Sequence, residues 1–405
     1  MWFLWLGLGL TLVVVAGLYV RRRLVAAVAA LGLGRRGQAA VRWLVPWLLF
    51  GYPVIVFATV AVSLVLGRGR MSGFEGPVAT WGLVLPFFLA VLVVVQALPY
   101  LLVIEAVHQV RRRWWAAPTA MTRARALAVL APLVGFAIYT PARIVWERGD
   151  LRWRHHLVQA RGDAGAERPP PFRIAFIADI QQDAHTDAAE VAAIVARLDA
   201  THPDLVLAGG DWINLGPDHI AAAARSAGQL RSRLGTFSVV GDHEHFAYTD
   251  QRRSVDAVAQ AMRAQGVELV RDEVRRFTHH GRSIAVGFLT NSYPAPATPA
   301  TVERLVAALA DADVAILVTH QLDRAIAAVA RDRVDLILAG HTHGGQVNPV
   351  VGLWHVPLAR LETPYVDGRF QLGRTTIIVT AGVGYSLVPF RYASPGSIET
   401  IDVGW

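Results

Sequence analysis

Residues 335–346 read Asp-Leu-Ile-Leu-Ala-Gly-His-Thr-His-Gly-Gly-Gln. The apolar run after Asp335 predicts a short strand buried on both faces, because it leaves no polar face for solvent. His341 and His343 follow at once, among glycines at 340, 344 and 345 that suit a tight turn. The same order recurs upstream. The run 173–179 (RIAFIAD) ends in Asp179, with Gln181 just beyond, and 204–211 (DLVLAGGD) ends in Asp211. The run 237–244 (FSVVGDHE) delivers Asp242, His243 and Glu244, and 314–320 (VAILVTH) ends in His320. Each apolar run hands over to a metal-capable side chain at its carboxyl end.

Between these runs lie alanine-rich stretches with helical periodicity. Strands are predicted at 172–178, 204–209, 236–240, 283–289, 314–319, 334–339, 375–380 and 397–403. Helices are predicted at 187–199, 218–233, 252–265, 301–311 and 322–331, the first capped by Thr186 or Asp187. Alternation of this kind gives an α/β fold with helices covering the sheet faces. In such folds ligands bind beyond the carboxyl ends of the strands. A lone histidine after a strand is ordinarily a surface or satisfied core residue, and an aspartate there often caps the next helix. Five such clusters on successive apolar strands point instead to a metal site, whose mixed carboxylate and imidazole donors suit divalent Mn, Fe or Zn.

Working outward, the amino-terminal part has a different character. The whole chain is 54% hydrophobic and only 17% charged, with a mean hydropathy of +0.38. That balance excludes disorder and a wholly soluble enzyme. The absence of cysteine excludes disulfides, thiolate metal sites and a cysteine nucleophile. Apolar stretches at about 2–20, 43–66, 79–104 and 126–142 approach or exceed the roughly 17–25 residues of a membrane helix. Only Gln96 interrupts the third. Residues 1–150 are therefore expected to be a transmembrane region of about four helices, 151–171 a linker and 172–405 the globular domain.

The net charge of +8 comes entirely from arginine on the basic side. Arg21, Arg22, Arg23, Arg35, Arg36, Arg42, Arg111, Arg112, Arg113, Arg123 and Arg125 all fall between apolar stretches. They outnumber Arg68, Arg70, Arg143, Arg148, Arg152 and Arg154, so the first set reads as cytoplasmic and the charge as topology, not a nucleic-acid surface. Four spans then put the globular domain outside the cytoplasmic membrane. A fourth stretch that fails to span would reverse its side. Ionisable residues mark transport pathways, and Glu105 and His108 stand only at the end of a span, so the helices read as an anchor.

Taken in order, Asp179-Ile-Gln181, Gly210-Asp211, Gly241-Asp242-His243-Glu244, His320 and Gly340-His341-Thr342-His343-Gly344-Gly345-Gln346 resemble the calcineurin-like metallophosphoesterases. The bacterial membrane-anchored branch is the nearest match, and the tail at 380–403, with its Pro389-Phe390-Arg391 turn, is similar to it too. The resemblance covers about 172–403. It implies a four-layer α/β sandwich with two divalent metal ions, the first on Asp179, Gln181, Asp211 and His343. Asp211 would bridge to a second on Asp242, His320 and His341. It implies hydrolysis of a phosphoester by a metal-bridging hydroxide, assisted by His243.

Three positions depart from that family's pattern. Gln181 stands where a histidine is usual, Asp242 where an asparagine is usual, and Asn214 replaces a common aspartate. Gln181 and Asp242 enrich the site in oxygen, which favours Mn, with Mg, Fe, Ca and Zn as alternatives. The expected partners are the membrane and a phosphoester substrate, lipid-linked or from the cell envelope. The alternative reading is a membrane sensor with a degenerate, non-catalytic metal site. A four-residue shift argues against His185 as a substitute for the missing imidazole, while His245, His155-His156 and His279-His280 are expected at the surface. Arg391 reads either as a phosphate contact or as half of a structural ion pair.

Overall fold

The computed structural model describes residues 2–65, 77–115, 121–160, 169–186, 188–386 and 388–405. Leu66, Arg68, Arg70, part of the expected linker (161–168), the expected cap Asp187 and Leu387 of the tail lie outside the described residues. The chain divides into a helical unit, 1–146 with 349–356, and a globular unit, 147–348 with 357–405.

The helical unit contains α1 (Trp2–Ala30) and α2 (Arg35–Val65). A single turn, α3 (Pro77–Ala79), leads through a π-helical stretch (Thr80–Val84) into α4 (Leu85–Trp115), and α5 (Arg123–Glu147) follows. Among the described residues three helical stretches are long and apolar enough to cross a membrane: Arg35–Thr59, Thr80–Trp115 and Arg123–Glu147. Their inward faces pack small and branched side chains, including Leu49, Ala97, Leu101 and Val129, against Ala16 and Val20 of α1. Trp43, Phe57, Val103 and Ile138 remain exposed, as expected of helices that are apolar all round and bathed in lipid. Glu105 of α4 forms ion pairs with Arg23 of α1 at 2.6 Å and with Arg125 of α5 at 2.5 Å. Two of the arginine-rich turns thus meet at one end of this unit.

The globular unit is built on two six-stranded sheets. In chain order the strands are β1 (Leu151–Gln159), β2 (Phe172–Ile177), β3 (Leu205–Ala208), β4 (Thr236–Ser238), β5 (Val267–Leu269), β6 (Glu273–His279), β7 (Arg282–Leu289), β8 (Val314–Thr319) and β9 (Leu336–Ala339). A small hairpin of β10 (Val350–Val351) and β11 (Trp354–His355) belongs with the helical unit. Then come β12 (Gly368–Leu372), β13 (Thr375–Val379) and β14 (Gly396–Gly404). One sheet runs β1-β14-β2-β3-β4-β5 and the other β12-β13-β9-β8-β7-β6.

Alternation along the strands generates the layers. Ile174 and Phe176 of β2 point into a core shared with Val286 and Phe288 of β7 and Ile316 and Val318 of β8, so the sheets pack face to face. Ala175 and Ile177 point the other way, onto α6 (Ala188–Asp199), α7 (Ile220–Ala227) and α8 (Gln251–Arg263). Ala285, Leu317 and Ile337 of the second sheet pack on α9 (Pro299–Ala307) and α10 (Arg324–Ala330). The order helices, sheet, sheet, helices is the four-layer α/β sandwich. Every strand predicted from apolar runs is present.

The structure corrects the expected linker. Residues 151–159 form β1, which runs parallel to β14 from Leu151 opposite Gly396 to Gln159 opposite Gly404. His156, expected at the surface, is buried and pairs with the buried Glu399 at 2.8 Å. His279 is also buried, between Arg233 and the Pro170 carbonyl. A fragment starting at residue 161 therefore strips β14 of a neighbour and Glu399 of His156 and Arg154. Orphaning one buried charge costs about 3–5 kcal/mol. Thermal or urea unfolding should show fragment 161–405 at least about 3 kcal/mol less stable than fragment 147–405; equal stability would make β1 dispensable.

Candidate metal centre

The carboxyl ends of β2, β3, β4, β8 and β9 converge, three from one sheet and two from the other. Asp179, Gln181, Asp211, Asp242, His320 and His343 are all buried there, and His341 and His243 are partly buried. The backbone leaves each strand by an unusual route. Asp179, Gln181, Asp211, His341 and His343 all have positive φ, between 47° and 71°. Such backbone costs of order 1–3 kcal/mol per residue and concentrates where a side chain must be aimed. Asp and His tolerate it better than branched residues. Glycine is required beside them: a Cβ on Gly241 would overlap the Asp211 carboxylate, and one on Gly340 would meet Asp179 Oδ2 at 2.7 Å.

Two groups of side chains bring their donor atoms close enough to share an ion: Asp242 with His320 and His341, and Asp179 with Asp211 and His320. His320 sits between them. Its Nδ1 donates to the Gly209 carbonyl at 2.7 Å, which directs Nε2 towards Asp211 Oδ2 at 3.4 Å and Asp242 Oδ2 at 3.3 Å. A carbonyl partner that fixes the ring in this tautomer is the usual arrangement behind a metal-ligating histidine. His341 reaches Asp242 Oδ2 through Nδ1 at 2.8 Å and Glu362 Oε1 through Nε2 at 3.0 Å. Gln181 Nε2 lies 3.2 Å from Asp211 Oδ2 and 3.1 Å from His343 Nε2.

The electrostatics follow from crowding acids out of water. Burial raises the Asp179 carboxyl to about 6, and the neighbouring Asp211 adds to it, against the pull of His320. Burial opposes ionisation of Asp211 and Asp242 as well, yet both lie below the usual carboxylate range. His320 and His243 together outweigh burial at Asp211, and His320 and His341 together outweigh it at Asp242. In return these carboxylates lift His320 well above an ordinary imidazole against burial. Asp242 and Glu362 raise His341 to about 9. Burial, then the charge of Arg391, pushes His343 far down, so its ring is neutral.

The donor set fits divalent cations. Gln181 Oε1 and His320 Nε2 are buried without any hydrogen-bond partner. Leaving such atoms unpaired costs about 1–3 kcal/mol each unless something else meets them. A cation supplies both the missing partner and the positive charge that three buried aspartates need. His243 stands beside the cluster, its Nδ1 on the Asn214 carbonyl and its Nε2 4.0 Å from Asp211 Oδ2.

Other sequence expectations resolve differently. His185 is exposed and does not join the cluster. Arg391 forms no ion pair among the described residues. It is buried, and its guanidinium donates to the carbonyls of His343, Ser394, Ala381 and Gly384, holding the His343 turn. Glu244 is visible in the sequence beside His243, without an assigned role. Its buried carboxylate accepts the N–H groups of Asp211, Trp212 and Gly241 at 2.7–2.9 Å, tying the end of β3 to the end of β4. Burial, with the Asp211 charge, raises it to about 7 against those three N–H groups.

Residues 172–345 match the calcineurin-like phosphoesterase family. A transmembrane protein with metallophosphoesterase domain from Danio rerio is 25% identical over 241 residues, covering 57% of this chain and 52% of that protein. Phosphodiesterase YaeI from Escherichia coli (strain K12) is 28% identical over 240 residues, covering 57% and 80%. A hypothetical protein from Thermus thermophilus, known from its crystal structure, aligns with a TM-score of 0.34 at 18% identity, covering 55% and 88%. The chain spans about half the length of several curated relatives it matches. The stretch of the globular unit that carries the candidate centre, 172–345, is thus similar to the calcineurin-like phosphoesterases, a family that acts on phosphoester bonds.

Glu244→Gln keeps the volume of the buried side chain but turns an acceptor into a donor facing backbone N–H groups. It should cost about 1–3 kcal/mol per N–H left unpaired and loosen the Asp211 loop. Unfolding and metal content measured together check this. A variant as stable and as metal-loaded as the parent would remove the clamp role.

Proposed function

We propose that this phosphoesterase domain is a metal-dependent phosphoester hydrolase, anchored in the cytoplasmic membrane by several helices and working on its outer side. The observation that carries the reading is the convergence of five strand ends on one buried donor set, with His320 Nε2 held between the Asp211 and Asp242 carboxylates at 3.4 and 3.3 Å. Asp179, Gln181, Asp211 and His343 would hold a first cation, and Asp211, Asp242, His320 and His341 a second. Such a pair, when bound, activates water and neutralises phosphoryl oxygens.

The remaining steps belong to the chain's own groups. Asp211 accepts the His243 N–H at 2.8 Å, fixing that turn. The Asn214 carbonyl holds His243 Nδ1, so Nε2 is the atom that protonates or stabilises the leaving oxygen. Glu362 orients His341, and Gln321 and the Tyr293 N–H orient Asp242. The uneven distribution of arginines supports the outer placement. Helices apolar enough to span the bilayer support a lipid-linked or cell-envelope substrate, since the domain is tethered to that surface.

Full-length protein assayed on chromogenic phosphomonoesters and phosphodiesters, with Mn, Mg, Ca, Fe and Zn added singly, should turn over with Mn the most effective. His243→Ala should lower kcat by about 10²–10⁴-fold while retaining metal. Asp211→Asn should lose both metal and activity. A metal-loaded protein inert on every ester would favour the sensor reading.

Gln181→His restores an imidazole to the first donor set. Titration calorimetry should show Zn binding there about tenfold or more tighter than in the parent. Unchanged Zn affinity would mean that Gln181 does not contribute a ligand.

A further inference from the structure

The loop that carries His341 and His343 continues through Asn348 and then leaves the globular unit. Residues 349–356 belong to the helical unit, and the chain returns at Pro357. This excursion is the β10–β11 hairpin, and it is held by α4. Gln96 Oε1 accepts the Val350 N–H at 3.0 Å, and the Tyr100 hydroxyl accepts the Gly352 N–H at 3.0 Å. Gln96 is fully buried, and its Nε2 donates to Thr140 Oγ1 of α5 at 3.1 Å. The one polar interruption of this apolar run thus pairs a hairpin backbone group.

Position along α4 sets the depth. The apolar run 85–104 is about 30 Å long at 1.5 Å per residue, close to the thickness of a hydrocarbon core. Gln96 falls near its middle, and Glu105, with its arginine partners, marks one end. Backbone that is not helical is tolerated at such depth where its polar groups are paired within the protein, as Val350 and Gly352 are. The turn itself is apolar. Leu353 is 95% exposed and Trp354 77% exposed, a pairing that in water would be a poor choice.

Beside the hairpin is a cavity of about 780 Å³, walled by Val103, Ile104, Phe136, Gly135 and Val351. We propose that the 349–356 hairpin is embedded in the acyl region of the bilayer and that the cavity between it, α4 and α5 holds a lipid acyl chain. The occupant is hydrocarbon because the wall is apolar and belongs to helices able to span the membrane. Catalysis by the globular unit is required for neither.

The absence of cysteine makes the test direct. Leu353→Cys and, as an exposed control in the globular unit, Gln265→Cys each introduce a single thiol for an environment-sensitive fluorophore. In full-length protein in lipid nanodiscs, the label at 353 should emit to the blue and be quenched several-fold more by acyl-chain nitroxide lipids than by aqueous iodide. The label at 265 should show the reverse. Iodide quenching at 353 equal to that at 265 would overturn the embedding. For the cavity, a Cβ at Gly135 meets nothing within 4 Å, so Gly135→Trp can fill the space without a backbone clash. Native mass spectrometry should show one retained phospholipid lost in Gly135→Trp. Equal retention in parent and variant, or none in either, would overturn the acyl site.

Discussion

Asp179, Asp211 and Asp242 share a volume from which water is excluded, and the rest of the globular unit is organised around tolerating that. Two unit charges about 4 Å apart interact by about 4 kcal/mol at an effective dielectric of 20, so three carboxylates cannot ionise together there unaided. Backbone N–H groups answer first: His341 N–H to Asp179, His243 N–H to Asp211 and Tyr293 N–H to Asp242. Each donor comes from a loop at the end of a different strand, so the acids bind the loops to one another as much as the loops bind the acids. His320 and His341 supply positive charge next. A divalent cation would complete the compensation, and the buried Gln181 Oε1, without a hydrogen-bond partner among the described residues, would face it.

Holding that geometry requires further buried charge directed at backbone. Glu244 uses both carboxylate oxygens on N–H groups of the β3 and β4 loops. Arg391 uses its guanidinium on four carbonyls around the His343 turn, and Gln346 reaches back to the carbonyls of Ser386, Val388 and Phe390. The two loops therefore clamp each other. Left-handed backbone at five of the seven candidate ligands is tolerated only because these contacts over-determine it.

The centre of the domain was legible because buried strands announce themselves. VAILVTH and DLILAGHTH have no polar interruption, and the change to Asp or His at the end is abrupt. The edges were not legible. β1 reads LRWRHHLVQ, and its charges suggest linker until pairing gives Arg154 to Asp367 and His156 to Glu399. β6, EVRRFTH, hides in the same way at the opposite sheet edge. Propensity cannot see such strands, because what stabilises them is a partner far away in sequence. For the same reason Gln96 looks like a blemish in an apolar run until the Val350 N–H gives it a purpose.

The three departures from the phosphoesterase pattern do not weigh equally. Asn214 lies outside both donor groups. Its amide donates to Asp183 and its carbonyl receives His243, so the lost aspartate takes no charge from the cluster. Asp242 accepts the Tyr293 N–H on Oδ1 and Gln321 Nε2 on both of its oxygens, and its Oδ2 also faces His320 and His341. It presents one oxygen, as an asparagine would, and its additional charge is absorbed by neighbours already in place. Gln181 is different in kind. Its amide nitrogen faces an aspartate oxygen and an imidazole nitrogen, while its oxygen is left buried and unpaired. An amide has one face that mimics a cation's hydrogen-bonding role and one that can bind a cation, where an imidazole lone pair could only bind. Of the three departures, Gln181 is therefore the one that changes the chemistry offered at the proposed first donor set.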